Sequence, residues 1–157
     1  MAAKTPPTNT TGDAFLSLRG LRKTFGPVVA IDNVSLDIRR GEFMTFLGPS
    51  GSGKSSTLYV VAGFQDPTEG SVMLERRSLL GVPPNQRNIG MVFQRYTLFP
   101  HLSVAENIAF PLRVRKQDDA QVRAKVAAML KLVHLDGFGH RAPSELSGGQ
   151  QQRVAIA

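Results

Sequence analysis

The run Gly48-Pro49-Ser50-Gly51-Ser52-Gly53-Lys54-Ser55 carries the densest chemistry in the chain, and it satisfies G-x-x-x-x-G-K-[ST] at every fixed position. Glycines at Gly48, Gly51 and Gly53 let the backbone close around phosphate oxygens, with successive N–H groups turned inward as donors. Lys54 is a point charge long enough to reach β- and γ-phosphates, and the Ser55 hydroxyl suits Mg²⁺. Such a loop works only between a buried strand and a helix whose positive end adds to the field. The apolar run Phe43-Met44-Thr45-Phe46-Leu47 precedes it, and a helix-forming stretch from Lys54 to Ala62 follows. The motif names a nucleoside triphosphate but no reaction. No N-K-x-D guanine reader occurs in the sequence, which points to adenine.

A second segment, Leu146-Ser147-Gly148-Gly149-Gln150, leads into Gln151-Gln152-Arg153-Val154, the opening of a helix. Ser147, Gly148 and Gly149 at a helix start would offer a hydroxyl and N–H groups to an anion.

The elements that must hold these segments follow from periodicity. Phe15 to Arg19 and Val34 to Ile38 alternate and read as strands, and Phe43 to Leu47 reads as a strand buried on both faces. Gly63 is placed to end the helix that the loop opens, since glycine accepts the left-handed conformation there. Ser71 to Leu74 and Ile89 to Phe93 read as further strands. Ser103-Val104-Ala105-Glu106 has capping-box spacing, which starts a helix running into Phe110 and stopping before Pro111. Asp118 or Asp119 caps the next helix, whose Val122, Val126, Met129, Leu130 and Val133 share one face. Gln150 to Ala157 has helix-forming character and stops without a C-terminal signal, so the chain reads as truncated.

Composition sets the outer bounds. With 157 residues, 41% hydrophobic and 20% charged, the chain suits one soluble globular domain. Residues 1 to 13, rich in Thr, Pro and Asn, read as a disordered tail. The absence of cysteine excludes a disulfide framework, a thiolate metal site and a cysteine nucleophile. No apolar run reaches membrane-span length. A net charge of +7 suits an anionic partner without naming it. Two hydrophobic runs end in aspartate, Val28 to Asp32 and Leu132 to Asp136, and both read as structural. His101, His134 and His140 are too scattered for a metal site.

Taken together, the loop and the Leu146 to Gln150 pentapeptide resemble the ATP-binding subunits of ABC transporters, the pentapeptide being similar to that family's signature sequence. The resemblance covers Phe15 to Ala157. It implies an α/β fold: a P-loop NTPase core, an antiparallel β subdomain and a helical insert over about 103–137 within an ATP-binding domain spanning 14–157. It implies ATP and Mg²⁺ as cofactors, with Gly48, Pro49, Ser50, Gly51, Ser52, Gly53, Lys54, Ser55 and Ser56 around the phosphates and Ser55 on the metal. Phe25, in Lys23-Thr24-Phe25-Gly26, stands where the family stacks an aromatic on adenine. Gln94 resembles the Q-loop glutamine, which in the family touches Mg²⁺ and the attacking water.

By the same resemblance Ser147, Gly148, Gly149 and Gln150 face the γ-phosphate held by a second subunit, and the two subunits pair head to tail around two ATP molecules. Tyr96 to Leu102 stands where a permease docks, and the wording from Phe99 to Ile108 is similar to polyamine, iron and sugar importers, closest to the spermidine/putrescine type. The implied role is ATP hydrolysis powering solute import at the cytoplasmic face of the inner membrane, with no nucleic acid as partner. The family's Walker B aspartate, catalytic glutamate and switch histidine fall beyond the signature, so these 157 residues alone are expected to bind nucleotide weakly and hydrolyse it negligibly. A soluble ABC-type ATPase acting on nucleic acid or translation is the alternative that the basic charge favours; a nucleotide kinase has no use for the pentapeptide. The family often has glycine after the strand near Leu74, where this chain has Glu75-Arg76-Arg77.

Overall fold

Two long strands, β1 (Ala14–Phe25) and β2 (Val28–Arg39), form an antiparallel hairpin in the computed structural model, which describes residues 14–94 and 97–157. The expected N-terminal tail and Tyr96 lie outside the described residues. Both strands outrun their alternating stretches, because β1 is paired on either side in a sheet of order β2-β1-β3-β4. Leu18 and Leu21 are both buried although strict alternation would send them to opposite faces. A register shift between them, with Gly20 at φ +53°, inserts one extra residue and returns Leu21 to the core.

β3 (Glu69–Leu74) pairs with β1, and the short β4 (Arg77–Ser78) turns back on β3. Glu75 and Arg76 occupy the turn at φ +48° and +67°, conformations that glycine would adopt without a Cβ penalty. An ion pair from Arg40 to Glu75 ties this turn to the end of β2. The helix α1 (Lys54–Ala62) spans the expected residues, and Gly63 ends it at φ +86° with its N–H on the carbonyls of Tyr59 and Val60. Leu18, Leu21, Ile31, Val60, Val72 and Leu79 form the core of this unit, which ends at Gly90. Each such side chain stabilises the fold by about 1.5–3 kcal/mol on burial.

Two expected strands do not form. Phe43 to Leu47 has no strand assignment, and Phe43 and Leu47 are 93% and 91% exposed. Ile89 to Phe93 is also irregular. A strand is defined by hydrogen bonds to a neighbour, and among the described residues no strand pairs with either run. Residues 43–46 instead line one wall of an apolar groove of about 490 Å³, facing Leu16, Leu36 and Ile38 of the sheet and Leu58 of α1.

The second unit, Met91–Ala157, is helical. Ser103 caps α2 (Val104–Val114): its hydroxyl accepts from the Glu106 N–H, and the Glu106 carboxylate accepts from the Ser103 N–H at 2.8 Å. The helix does not stop before Pro111 but runs through it. Pro111 is exposed, so the Asn107 carbonyl that loses its partner can face water, while Ile108, Ala109 and Leu112 keep the helix on the core. Asp118 caps α3 (Asp119–Leu132), accepting from Ala120 and Gln121 N–H groups. Val122 and Val126 are buried, with Met129, Leu130 and Val133 packed beside them as the periodicity requires. The last helix, α4 (Gly148–Ile156), starts ahead of the expected Gln150 because Ser147 caps it. Both aspartate-ended runs are structural: Ile31 belongs to the first core and Leu135, 1% exposed, to the second.

Candidate functional site

The loop before α1 is shaped by Gly53, the N-cap residue at φ +82°. A Cβ there would stand 2.3 Å from the Ala30 carbonyl oxygen of β2, so only glycine fits. Gly53 offers no side-chain cap, and the N–H groups of Lys54, Ser55 and Ser56 have no partner within the helix. They form the positive end of α1, where backbone donors alone could receive an anion. Thr57 anchors the turn: its hydroxyl, in a residue 6% exposed, donates to the Gly53 carbonyl at 3.0 Å.

Lys54 reaches back across the loop. Its Nζ donates to the carbonyls of Gly48 at 2.8 Å and Pro49 at 2.7 Å, and lies 3.1 Å from Ser52 Oγ. The ammonium is thereby held where a phosphate in the loop would meet it. Such a phosphate would replace neutral carbonyl acceptors by charged ones, which strengthens each bond. Ser55 is exposed at the first turn of α1.

Phe25 ends β1 at the tip of the hairpin and is 46% exposed. Lys23, two residues earlier on the same face, places Nζ 5.1 Å from the ring centroid and donates to the Asp66 carbonyl at 2.7 Å. Thr24 N–H bonds Thr68 Oγ1 at 3.0 Å, and Thr68 N–H bonds the Arg22 carbonyl at 2.8 Å. The hairpin tip is thus laced to the turn that follows α1.

In the second unit Gln94 lies exposed in a bend. Ser147 Oγ accepts from the Gln150 N–H at 3.3 Å, and Gln150 Oε1 accepts from the Ser147 N–H at 2.8 Å. Gln150 is therefore engaged in its own helix cap, whereas Ser147, Gly148 and Gly149 are exposed, and the serine hydroxyl keeps its hydrogen for another acceptor. Arg153 holds α4 against the end of α3 by donating to the Val133 carbonyl at 2.8 Å.

Of the expected docking segment, Thr97 to Leu102 is described, and Asn107 pins it. The Asn107 amide accepts from Phe99 N–H at 2.7 Å and donates to the carbonyls of Phe99, Leu102 and Ser103. Phe99 also packs on Phe110, ring centroids 4.5 Å apart. The backbone N–H and then the hydroxyl of Ser103 hold the nearby Glu106 carboxyl below its ordinary value.

Sequence reasoning missed three of these supports. Lys23 was detectable from its i, i+2 spacing to Phe25 on a strand. Asn107 had no local signal. Nor did Arg87, 4% exposed, whose guanidinium donates to the carbonyls of Val60, Val61 and Val82 at 2.7–2.9 Å and neutralises the negative end of α1. Burial lowers the pKa of Arg87, against an opposing pull from Asp66.

A sheet and helix built around a phosphate-type loop, with a serine-capped Ser-Gly-Gly helix start further along, define a nucleotide-binding cassette. The family model described as ABC transporter matches residues 31–157, and the chain belongs to that family. It is 48% identical over 144 residues to the spermidine/putrescine import ATP-binding protein PotA of Nitrosospira multiformis, covering 92% of this chain and 40% of that protein. The PotA of Methylococcus capsulatus is 50% identical over 147 residues, covering 94% of this chain and 38% of that protein. Among solved structures, the dimeric structure of MJ0796, a bacterial ABC transporter cassette, superposes with a TM-score of 0.82 at 35% identity, over 90% of this chain and 67% of that one. CbiO1 from Clostridium perfringens, part of the ABC transporter complex cbiONQ, gives 0.79 at 27% identity, over 92% of this chain and 60% of that one. The chain therefore spans about two-fifths of the length of the curated relatives it matches. The fold is that of the cassette: α/β, with an antiparallel β subdomain and a helical part.

Proposed function

We propose that this chain is the nucleotide-binding part of an ATP-hydrolysing subunit that powers solute import through a membrane permease, with polyamines as the solute class. The observation that carries this reading is the loop Gly48 to Ser55, with uncapped N–H groups at the start of α1 and the Lys54 ammonium already drawn across it. Gly48, Pro49, Ser50, Gly51, Ser52 and Gly53 cradle the phosphates of ATP with Lys54, Ser55 and Ser56. Mg²⁺, which binds oxygen donors, would take Ser55 and Gln94. It would draw charge from the phosphoryl oxygens when bound. Phe25 offers the face on which adenine stacks.

Residues 14–157 act as one ATP-binding domain with a helical subdomain over about 103–137. Ser147, Gly148 and Gly149 bind the γ-phosphate presented by a second subunit in a head-to-tail pair, with Gln150 holding that turn. The segment from Tyr96 to Leu102 receives the permease at the cytoplasmic face of the membrane, where the subunit is peripheral. No helix among the described residues is long and apolar enough to cross a bilayer. The polyamine assignment rests on the spermidine/putrescine import proteins to which the chain is 48–50% identical.

Calorimetric titration with MgATP tests the reading. Lys54→Ala removes charge-assisted hydrogen bonds and is expected to weaken binding by about 10- to 100-fold, the equivalent of roughly 1.5–3 kcal/mol. An unchanged affinity would overturn it.

A further inference from the structure

Lys23 contacts the exposed aromatic ring at the tip of the first hairpin, yet it belongs to no phosphate-binding motif. Lys23 and Phe25 are two residues apart on β1 and so project from the same face of the strand. The Lys23 ammonium sits 5.1 Å from the Phe25 ring centroid, within the range of a cation–π contact. It is held there from the other side, since its Nζ donates to the Asp66 carbonyl at 2.7 Å. Two further bonds, Thr24 N–H to Thr68 Oγ1 and Thr68 N–H to the Arg22 carbonyl, lock the same stretch of β1 to the 66–68 turn. A surface phenylalanine at the end of a strand ordinarily turns about its side-chain torsions and loses that freedom when a ligand stacks on it. Here the loss is met in advance by the lysine and its carbonyl anchor.

We infer that Lys23 is a positioning residue for nucleobase recognition: it fixes the Phe25 ring as a pre-set stacking platform for a purine. The inference rests on the reading of Phe25 as the base-stacking residue. Phe25 is 46% exposed, so a ring with an ammonium on one face still offers surface to a planar ligand. The cation also draws π-density toward itself, which lowers the repulsion between the ring and an electron-rich base on the opposite side. Purines gain most because their two fused rings cover more of the platform. The phosphate loop takes no part, so the effect belongs to the base and not to the triphosphate.

The test compares MgATP with inorganic tripolyphosphate, which lacks the base, in the intact protein and its variants. Lys23→Met, which keeps the side-chain length and removes the charge, is expected to weaken ATP by about two- to fivefold while leaving tripolyphosphate unchanged. Lys23→Arg, whose guanidinium also lies over aromatic rings and donates to carbonyls, is expected to restore ATP affinity. Unchanged ATP affinity in Lys23→Met, or an equal fall for ATP and tripolyphosphate, overturns the inference. Phe25→Ala separates the two layers of argument. If it lowers ATP relative to tripolyphosphate while Lys23→Met does not, only the role of Lys23 fails. If Phe25→Ala leaves that ratio unchanged, the stacking role of Phe25 fails with it.

Discussion

The first turns of α1 and α4 solve the same problem in opposite ways. Each helix begins with N–H groups that lack intrahelical partners. At α1 the residue before the helix is glycine, left-handed and without a side-chain cap, so the donors stay open. At α4 Ser147 and Gln150 close a reciprocal capping box, as Ser103 and Glu106 do at α2. An open start is less stable by itself and suits a ligand of high negative charge density. A closed start is stable alone and leaves a hydroxyl hydrogen and two glycine N–H groups to offer. The contrast separates a helix start that leaves its donors open from one that satisfies part of them itself.

The largest change expected from breaking this contrast is at Gly53. In Gly53→Ala the new methyl meets the Ala30 carbonyl in a left-handed residue, and stability should fall by about 3 kcal/mol or more in chemical denaturation. A fall under about 1 kcal/mol would mean that the loop relaxes freely and is not pre-shaped. At the closed start, Ser147→Ala should lower stability by about 1 kcal/mol without any nucleotide present. Ser52→Ala, beside the open start, should cost less, since Ser52 Oγ serves Lys54 and caps no helix. Equal costs would erase the distinction between the two starts.

The smallest expected effect is a pH dependence at the third helix start. The Glu106 carboxyl is held below its ordinary value by the Ser103 N–H and then the Ser103 hydroxyl. A lowered folded-state pKa gives stability that is present above the unfolded value, near 4.5, and is lost as pH falls through the folded one. Glu106→Gln keeps an acceptor for Ser103 but cannot titrate, so its melting temperature should vary less than the parent's below pH 4.5. Identical acid profiles would assign the loss to other carboxylates. The Lys23→Met titration described above lies at the same modest scale.

How far the sequence could be read differs between the regions. Much of the local chemistry was legible: α1 begins and ends where the Gly-Lys-Ser motif and Gly63 put it, Ser103 caps α2, and Asp118, one of two adjacent candidates, caps α3. These features depend on residues within one turn of each other. Phe43 to Leu47 and Ile89 to Phe93 were misread because an apolar run states only that it avoids water, not that a hydrogen-bonding neighbour lies beside it. Pro111 misled in a different manner, since the apolar face on both sides of it outweighs one missing bond on the exposed side. The candidate site residues came from the two motifs and from the family resemblance. Of their supports, Arg87 and Asn107 were not legible, because each donates to carbonyls outside its own element. Lys23 shares β1 with Phe25, and only its anchor on the Asp66 carbonyl lay beyond local spacing.

By itself the sequence determined where the glycine-rich loop opens α1, the helix caps and the family, since those rest on residue types at short fixed spacings. Only the tertiary structure decided which apolar runs pair as strands, that Leu21 returns to the core past a bulge, and that Gly53 has no room for a methyl group. Each of those outcomes depends on a partner distant along the chain, and a linear pattern carries no information about what stands opposite it in space.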